Sequence, residues 1–468
     1  MPAIRPRSPH RHVSNTTTTA VAPTDAAATE TRTVAWGVTG NPSANGGYRR
    51  RRSSVIAMRR TNVAAAVAAV LILGTAPAGA APSDTAPPFW IGSYAAAQGF
   101  VNRAPLAGST VRVIVDPHVS GNTVRLRFGN HLGAHPVDIR AVHLGVSPDG
   151  SPNVKTGSNV PVTFSGSEAA VIPAGGEVIS DAVRLDIIAF QPLAVSIFIA
   201  RADGISEHFD AHQLSWLSPG VDAGRDAGGE RFTTPYPFVP LLTGVDVAGP
   251  ATGRTVVAFG DSVTDGYHNL PMQLATLGTD QRYPDFLARR IAETGRSDVG
   301  IVNAGISGNQ VTRSANQSES VLGFGPSGIE RFARDALGAP NVSDVIVLAG
   351  SNDLSSKNHT PATAEAVIAG LQEMIATAHN AGVRVHLGTI LPRTDDGAPT
   401  PEAIAAVNQW ILSQRESDSV IDFAAAVRDP LDPTRLSPHF DSGDGVHPNP
   451  AGYRAMSDAV DLDRLLNP

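Results

Sequence analysis

The sequence predicts an α/β fold for the C-terminal half of this 468-residue chain and an all-β fold for the part that precedes it. In the C-terminal half, five short apolar segments alternate with five segments long enough to be helices. In the preceding part, short segments alternate apolar and polar residues between Gly, Pro, Asn and Asp. The first pattern is typical of a parallel sheet covered by helices, and the second of strands in a β-sandwich or jelly roll.

The α/β domain is predicted to span residues 254–468. We place its strands at 256–259, 300–303, 345–348, 383–390 and 420–423, and its helices at 283–294, 329–337, 362–380, 401–414 and 451 to about 466. Parallel strands that are joined by such helices require right-handed crossovers, which cover both faces of the sheet. Five of them fit a flavodoxin-like, three-layer α/β/α domain with a parallel five-stranded sheet.

The β-sandwich, or jelly-roll-like, domain is predicted for residues 86–246, between linkers at 84–88 and 249–253. Its clearest strands are 110–115, 123–128, 137–144 and 193–199. His208 and His212 in this domain lie four residues apart, but a metal-binding pair at that spacing requires a helix. Because this part of the sequence does not resemble a helix, we predict no metal site there.

The first 80 residues carry signals of disorder and export. Residues 1–57 are rich in Thr, Ala, Pro and Arg and are predicted to be a disordered extension. From Met58, two arginines, an apolar run at 63–74 and small residues up to 80 form the pattern of a secretory signal peptide. We therefore predict signal cleavage near residue 80, a secreted location in the medium or cell envelope, and no stable membrane insertion afterwards. An uncleaved anchor is the alternative.

Composition narrows the classes of function. The chain contains no cysteine, which excludes disulfides, Cys-based zinc sites and thiol nucleophiles. Residues 81–468 contain 26 basic and 41 acidic residues, a formal charge of −15. A surface this acidic argues against nucleic acid or anionic lipid as a partner and favours an uncharged small-molecule or glycan substrate.

A candidate nucleophile follows the first strand of the α/β domain. The apolar run at 256–259 leads into Gly260, Asp261 and Ser262, where we expect the glycine to permit a sharp turn. A serine just past the carboxyl end of such a strand lies where open α/β sheets bind ligands. Ser262 is therefore the candidate nucleophile, although the tripeptide alone is equally compatible with a turn or a helix cap.

Further motifs at strand ends supply the other groups that ester hydrolysis requires. A serine hydroxyl needs an adjacent base, for which His447 is the candidate. The imidazole needs an orienting acid, and Asp444 lies three residues before it, with Asp441 as the second choice. The chain contains no GxSxG nucleophile elbow, which argues against an ordinary α/β-hydrolase.

The oxyanion of a tetrahedral intermediate needs hydrogen-bond donors, which the N–H groups of Ser262 and Gly308 and the side-chain amide of Asn352 can provide. Considered singly, Gly308 is also compatible with a turn and Asn352 with a helix cap.

Four further polar residues near the motifs or in predicted strands are not expected to take part in the reaction. Asp261 is expected to accept structural hydrogen bonds, and Asp353 to brace the loop that carries Asn352. His268 is expected to line the cleft or to face solvent. His386 is expected to be a core residue.

The motifs GDSVTDG, SGN, GSND and DGVHPN occur in this order within residues 254–468. This ordered set resembles the four sequence blocks of the SGNH (GDSL-type) hydrolase family. The resemblance implies Ser262 as nucleophile and first oxyanion donor, Gly308 and Asn352 as further donors, His447 as base and Asp444 as its orienting acid. The β-rich part is similar to the jelly roll that precedes the hydrolase domain in secreted bacterial members.

We therefore expect a secreted serine ester hydrolase that cleaves short-to-medium acyl esters through an acyl-serine intermediate, with no metal and no organic cofactor. One alternative is a carbohydrate O-acetyl esterase acting on acetylated sugars or polysaccharides. An alternative from another class is a glycan- or surface-binding protein whose hydrolase-like domain is secondary.

Overall fold

The computed structural model describes residues 89–314, 324–357 and 359–467. The predicted disordered extension at 1–57 and the predicted signal peptide at 58–80 lie outside these residues. Within the described ranges, no helix has both the length and the hydropathy needed to cross a lipid bilayer. We refer to residues 89–249 as the β-rich region and to residues 254–467 as the α/β region.

The β-rich region is built from short strands. They are β1 (Phe89–Ala95), β2 (Phe100–Asn102), β3 (Ser109–Val115), β4 (Gly121–Gly129), β5 (Val137–Val146), β6 (Val160–Pro161), β7 (Ala169–Ile172), β8 (Glu177–Ile179), β9 (Val183–Ile187), β10 (Leu193–Arg201), β11 (Ile205–His208), β12 (Ser215–Ser218), β13 (Thr234–Tyr236), β14 (Val239–Pro240) and β15 (Leu242–Gly249). The four strands predicted here correspond to β3, β4, β5 and β10.

Two antiparallel sheets of this region share one hydrophobic core. One sheet has the order β1-β15-β4-β8, with β9 also paired to β4, and the other the order β13-β12-β3-β10-β5-β6, with β7 paired to β5. Side chains alternate between the two faces of a strand, so every second residue of β3 and β4 points into this core. The buried set is Val111, Val113 and Val115 from β3 and Val124, Leu126 and Phe128 from β4. The β-sandwich prediction is confirmed, whereas the jelly-roll topology stays a prediction.

The α/β region alternates strands and helices. Its strands are β16 (Arg254–Gly260), β17 (Val299–Gly305), β18 (Val342–Leu348), β19 (Arg384–Gly388) and β20 (Ser419–Ile421). Its helices are α1 (Ser262–Asp265), α2 (Leu270–Ala275), α3 (Tyr283–Glu293), α4 (Gly328–Asp335), α5 (Ser351–Leu354), α6 (Ala364–Asn380), α7 (Pro401–Ser413), α8 (Phe423–Val427), α9 (Pro450–Asp458) and α10 (Leu462–Leu466).

The five strands of the α/β region form one parallel sheet in the order β17-β16-β18-β19-β20. Val257 and Phe259 of β16 belong to one hydrophobic cluster, whereas Val256 and Ala258 belong to another. Because adjacent residues of a strand face opposite sides, the sheet is covered by apolar packing on both faces. The predicted flavodoxin-like, three-layer fold is confirmed.

The predicted boundaries differ from the observed ones where caps interrupt a pattern. The helix predicted from 451 to about 466 is two helices, and Asp461 caps the second by accepting a hydrogen bond from the N–H of Arg464. The strand predicted at 420–423 ends at Ile421, because Asp422 accepts from the N–H of Ala425 and begins α8.

The β-rich and α/β regions are in close contact, and the described residues from Phe89 onward belong to one compact unit. The N–H of Gly92 in β1 donates to the hydroxyl of Thr255 in β16, 2.8 Å away. A Cβ on Gly300 of β17 would lie 2.0 Å from the carbonyl oxygen of Gly92, so only glycine permits this approach. The domain limits 86–246 and 254–468 stay predictions.

Candidate active site

Ser262 is the first residue of α1, directly after the carboxyl end of β16. Asp261 caps this helix by accepting a hydrogen bond from the N–H of Val263 at 3.0 Å, which is its expected structural role. Gly260 was expected to permit a sharp turn, and this expectation needs correction. A glycine is required here because no room exists for a Cβ atom. A Cβ there would lie 2.2 Å from the carbonyl oxygen of Leu348, whereas the left-handed residue of this segment is Gly266, with φ 103°.

The structure brings Ser262, His447 and Asp444 together. The hydroxyl oxygen of Ser262 lies 2.9 Å from Nε2 of His447, across 185 residues of sequence. Nδ1 of the same ring lies 2.7 Å from Oδ2 of Asp444. Oδ1 of Asp444 accepts hydrogen bonds from the N–H groups of Val446 and His447, each at 2.9 Å. These backbone contacts hold the carboxylate in position beside the imidazole ring.

The contacts of His447 define which nitrogen is available to the serine. Because Asp444 is an acceptor, Nδ1 carries a proton and Nε2 of the neutral ring can accept the hydroxyl proton of Ser262. Partial burial opposes the charge on Asp444, but the hydrogen bond and charge of His447 and the two backbone N–H groups lower its pKa to about 2. The acid therefore stays ionised at neutral pH. The ring of Tyr267 packs edge-on against His447, with the centroids 4.8 Å apart.

Asp441, the second choice for the orienting acid, has a different role. Its Oδ1 accepts the N–H groups of Gly443 and Gly445, at 2.8 and 3.2 Å. Both glycines have positive φ, 101° and 72°, a conformation that favours residues without a side chain. Asp441 therefore stabilises the loop that carries Asp444 and His447.

The three groups expected to bind the oxyanion lie on α1, on the loop after β17 and on α5. The N–H of Ser262 is one of the first four of α1 and has no partner within the helix. Gly308 has φ 77°, and the ring of Phe324 occupies the position that a Cβ would take, 2.2 Å from Cδ1. Nδ2 of Asn352, in α5, donates to the carbonyl oxygen of Asn309 at 3.1 Å and lies 3.5 Å from Asp261.

Two side chains hold the segment around Gly308 in place. Asp353 accepts the N–H groups of Val311 and Thr312, at 2.7 and 2.9 Å, and so joins α5 to the chain just after Gly308. Arg331 of α4 is fully buried and donates to the carbonyl oxygens of Gly260 and Ala304 and to Oδ1 of Asn309. Arg331 could not be predicted from the sequence, because a single arginine in an amphipathic helix is typical of its solvent face.

His268 lies neither in the cleft nor in solvent, so both expectations for it are wrong. Its side chain is buried, with Nδ1 2.9 Å from the carbonyl oxygen of Pro448 and the ring packed against Tyr453. It thus holds the segment that follows His447. His386 is buried as expected, with Nε2 2.8 Å from Asp344.

A small cleft opens beside Ser262. It is lined by the polar side chains Asp261, Ser351, Asn352 and Arg393 and by the apolar side chains Val263, Leu348, Ala349, Ile390, Leu391 and Val446. Burial raises the pKa of Asp261 to about 6. Arg393, which sequence reasoning missed, makes a bidentate pair with Asp395, and its Nη1 lies 3.2 Å from the Ser351 hydroxyl.

Across the described ranges, no group of three or more His, Asp or Glu side chains is arranged to hold a metal ion. This includes the surroundings of His208 and His212.

Residues 258–455 match the model of the GDSL-like Lipase/Acylhydrolase family. The α/β region is a GDSL-like lipase/acylhydrolase domain. The family and the geometry around Ser262 together identify the protein as a carboxylic ester hydrolase. Comparison with curated proteins found no match.

Solved structures similar to this chain include three esterases. A carbohydrate acetylesterase from Sinorhizobium meliloti is 17% identical, covers 46% of this chain and 98% of its own, and has a TM-score of 0.35. A family two carbohydrate esterase from Clostridium thermocellum, in complex with cellohexaose, is 14% identical over 79% of this chain and 98% of its own, with a TM-score of 0.35. An aryl esterase from M. smegmatis is 17% identical, covers 46% of this chain and 98% of its own, and has a TM-score of 0.34. Scores this low support no inference about the substrate of the GDSL-like domain.

Proposed function

We propose that this protein hydrolyses short-to-medium acyl carboxylic esters through an acyl-serine intermediate, with Ser262 as nucleophile, His447 as base and Asp444 as orienting acid. The observation that carries the proposal is the 2.9 Å contact between the Ser262 hydroxyl and Nε2 of His447. An activated serine needs such a base within hydrogen-bond reach, itself oriented by a third group.

In the first half of the proposed reaction, the Ser262 hydroxyl attacks the carbonyl carbon of the ester while Nε2 of His447 takes its proton. The resulting imidazolium is stabilised by the ionised Asp444. The tetrahedral oxyanion accepts hydrogen bonds from the N–H groups of Ser262 and Gly308 and from Nδ2 of Asn352. When the intermediate collapses, the alcohol leaves with the proton held by His447.

In the second half, His447 takes a proton from a water molecule that attacks the acyl-serine. The same donors stabilise the second oxyanion, and collapse releases the carboxylic acid and returns the proton to Ser262. The proposed steps use no metal and no organic cofactor.

The lining of the cleft supports a small acyl group. Asp261, Asn352 and Arg393 are polar groups beside the nucleophile, and a long alkyl chain would exclude water from them without offering a hydrogen bond in its place. We expect p-nitrophenyl acetate to be hydrolysed faster than the octanoyl ester, and the palmitoyl ester to be hydrolysed slowest. A preference for palmitoyl esters would contradict this acyl range.

The same polar lining favours a second candidate, an O-acetyl esterase acting on acetylated sugars or polysaccharides. The test compares release of acetate from acetylated xylan with hydrolysis of p-nitrophenyl acetate by the same preparation. Release of acetate from xylan with the higher kcat/KM would favour the carbohydrate substrate.

Labelling by a fluorophosphonate probe tests the reaction itself. We expect the wild-type chain to be labelled and to hydrolyse p-nitrophenyl acetate, and Ser262→Ala to do neither while keeping its thermal unfolding midpoint. Ser413→Ala, a change in the last turn of α7, is the matched control and should be labelled normally. An unlabelled wild-type chain that binds glycans would instead favour the glycan-binding class.

Export through a cleaved signal also belongs to the proposal, and the arginine and apolar segments from Met58 onward support it. N-terminal sequencing of protein from the culture medium should begin near Ala81. A mature N-terminus upstream of Met58 would contradict it.

A further inference from the structure

A segment of the β-rich region contacts the loop that carries Gly308. Oδ2 of Asp210 lies 2.6 Å from the hydroxyl oxygen of Ser307. The same hydroxyl lies 3.2 Å from Oδ2 of Asp265, which also accepts the N–H of Ser307 at 3.1 Å. Asp265 is the last residue of α1, the helix that Ser262 begins. Ser307 therefore connects the nucleophile helix, the Gly308 loop and the β-rich region.

His208 neutralises Asp265 within this cluster. Nδ1 of His208 lies 2.8 Å from the carbonyl oxygen of Ala97, and Nε2 lies 2.9 Å from that of Asp210 and 3.2 Å from Oδ1 of Asp265. All three partners are acceptors, so both ring nitrogens must carry protons and the ring is a cation. Burial opposes this charge, but Asp265 raises the pKa of His208 to about 9, and His208 in turn lowers the pKa of Asp265.

The hydrogen bonds of the Ser307 hydroxyl indicate whether the Asp210 carboxyl is protonated. A serine hydroxyl has one proton to donate, yet the Ser307 hydroxyl lies within hydrogen-bond distance of two carboxyl groups. Both contacts are favourable only when one carboxyl is protonated. His208 balances the charge of Asp265, and a second buried carboxylate would be left without a cation of its own.

The other charged and titratable groups near Asp210 do not provide that cation. They are the imidazole of His212 and the hydroxyls of Tyr267 and Tyr453, while Arg282 faces Asp265 and forms its own pair with Asp285. Burial lowers the pKa of His212 to about 3, so this ring is neutral. Burial, followed by the charge of Asp265, raises the pKa of Asp210 to about 7.

We propose that Asp210 and His208, which the β-rich region supplies, are positioning residues for the oxyanion hole, and that Asp210 acts while it carries a proton. The N–H of Gly308 belongs to the same peptide plane as the carbonyl group of Ser307, so fixing Ser307 sets the direction of this donor. The inference rests on the proposed function, because it assigns the Gly308 N–H to the oxyanion.

Loss of the Asp210 proton leaves the Ser307 hydroxyl between two carboxylates. The repulsion displaces the loop, and the Gly308 donor is misaligned. Because the oxyanion forms only during reaction, we expect kcat to fall at alkaline pH, with a midpoint near the pKa of about 7, while KM changes little. The loss should be about tenfold, less than the ~10²-fold that complete removal of an oxyanion donor costs.

The test compares three variants of the full chain with wild type, using p-nitrophenyl acetate between pH 5 and 9.5. Asp210→Asn keeps a hydrogen-bond donor toward Ser307 but cannot titrate, so its kcat should show no alkaline decline and should exceed the wild-type value above pH 7. Asp210→Ala should lower kcat about tenfold at every pH. Asp116→Asn is the matched control, since Asp116 is also a buried carboxyl with a raised pKa but is hydrogen-bonded to Gln213, and its profile should follow wild type.

Fluorophosphonate labelling and thermal unfolding are measured on the same samples. If Asp210→Asn shows the wild-type alkaline decline, or if Asp116→Asn abolishes it as well, the positioning role is wrong while the esterase assignment stands. If Asp210→Ala fails to fold, the Asp210→Asn profile alone decides. If the wild-type chain neither hydrolyses the ester nor reacts with the probe, the proposed function fails, and the positioning role fails with it.

Discussion

Two of the histidine–aspartate pairs in the described residues place the same two groups in different environments. In the pair on the loop before α9, the side chains of His447 and Asp444 are 14% and 26% exposed. In the pair between the two regions, His208 and Asp265 are 8% and 1% exposed. Both pairs hold an imidazole nitrogen near a carboxylate oxygen, at 2.7 and 3.2 Å.

The second nitrogen of each ring accounts for their different roles. Nε2 of His447 faces a hydroxyl, which can donate, so the ring can be neutral and act as a base. Nδ1 of His208 faces the carbonyl oxygen of Ala97, which can only accept, so the ring must keep both protons. A neighbouring carboxylate is therefore not enough to identify a catalytic histidine. The group that faces the second ring nitrogen decides whether the ring can act as a base.

The largest difference between the pairs should appear when each histidine is removed. We expect His447→Ala to lower kcat on p-nitrophenyl acetate by about 10⁴–10⁶-fold, because the serine loses its base. His208→Gln should lower it by only about tenfold, through the oxyanion hole. Steady-state kinetics at pH 7 measure both, and similar losses in the two variants would remove the distinction.

A smaller loss is expected when the acid of the exposed pair is removed. Asp444→Ala should lower kcat by about 10²–10⁴-fold, because the base and the oxyanion donors remain but the ring loses its orientation. Asp441→Ala, the matched control on the same loop, should change kcat by no more than about tenfold. A greater loss for Asp441→Ala than for Asp444→Ala would reassign the orienting acid.

Replacing the histidine should destabilise the fold more in the buried pair than in the exposed pair, which is the reverse of the order expected for kcat. His208→Gln removes one partner of a buried pair and should lower the free energy of unfolding by about 3–5 kcal/mol. His447→Gln changes a partly exposed site and should lower it by no more than about 1 kcal/mol. Urea unfolding at pH 7 measures both values, and equal values would show that burial does not separate the pairs.

The smallest effect concerns the pH dependence of the buried pair. Since the pKa of His208 is raised in the folded protein to about 9, its stabilising contribution is complete below the unfolded value of about 6.5. The contribution is lost as the pH rises through about 9. Urea unfolding should therefore show the gap between wild type and His208→Gln narrowing from pH 6 to pH 10. A gap that widens over this range would contradict the charged state of His208.

Much of the fold was predictable because its signals are local. The five parallel strands are short apolar runs separated by helices. β16, β17 and β18 cover the predicted positions, whereas β19 and β20 end before the predicted limits of 390 and 423. The short helices α1 and α5 were not predicted, because each has only four residues and no apolar period. Their caps, Asp261 and Gly350, resemble turn residues when only the sequence is read.

The candidate site was predictable to the extent that its residues lie in motifs at strand ends. Ser262 and Asn352 line the same cleft because parallel strands place their carboxyl ends along one edge of the sheet, whereas His447 reaches Ser262 from the loop before α9. The contact between Asp210 and Ser307 was not predictable, since it spans 97 residues and joins two regions that were assigned separate folds. The dense run of titratable residues from Glu207 to His212, which begins within the buried strand β11, was the available signal.

The connection from β15 to β16 through residues 250–253 is too short to act as a flexible tether. An unrelated β-rich domain joined at this point would not be free to move relative to the α/β region. Any replacement would have to leave room for the backbone of β17 at Gly300 and present an imidazolium to Asp265.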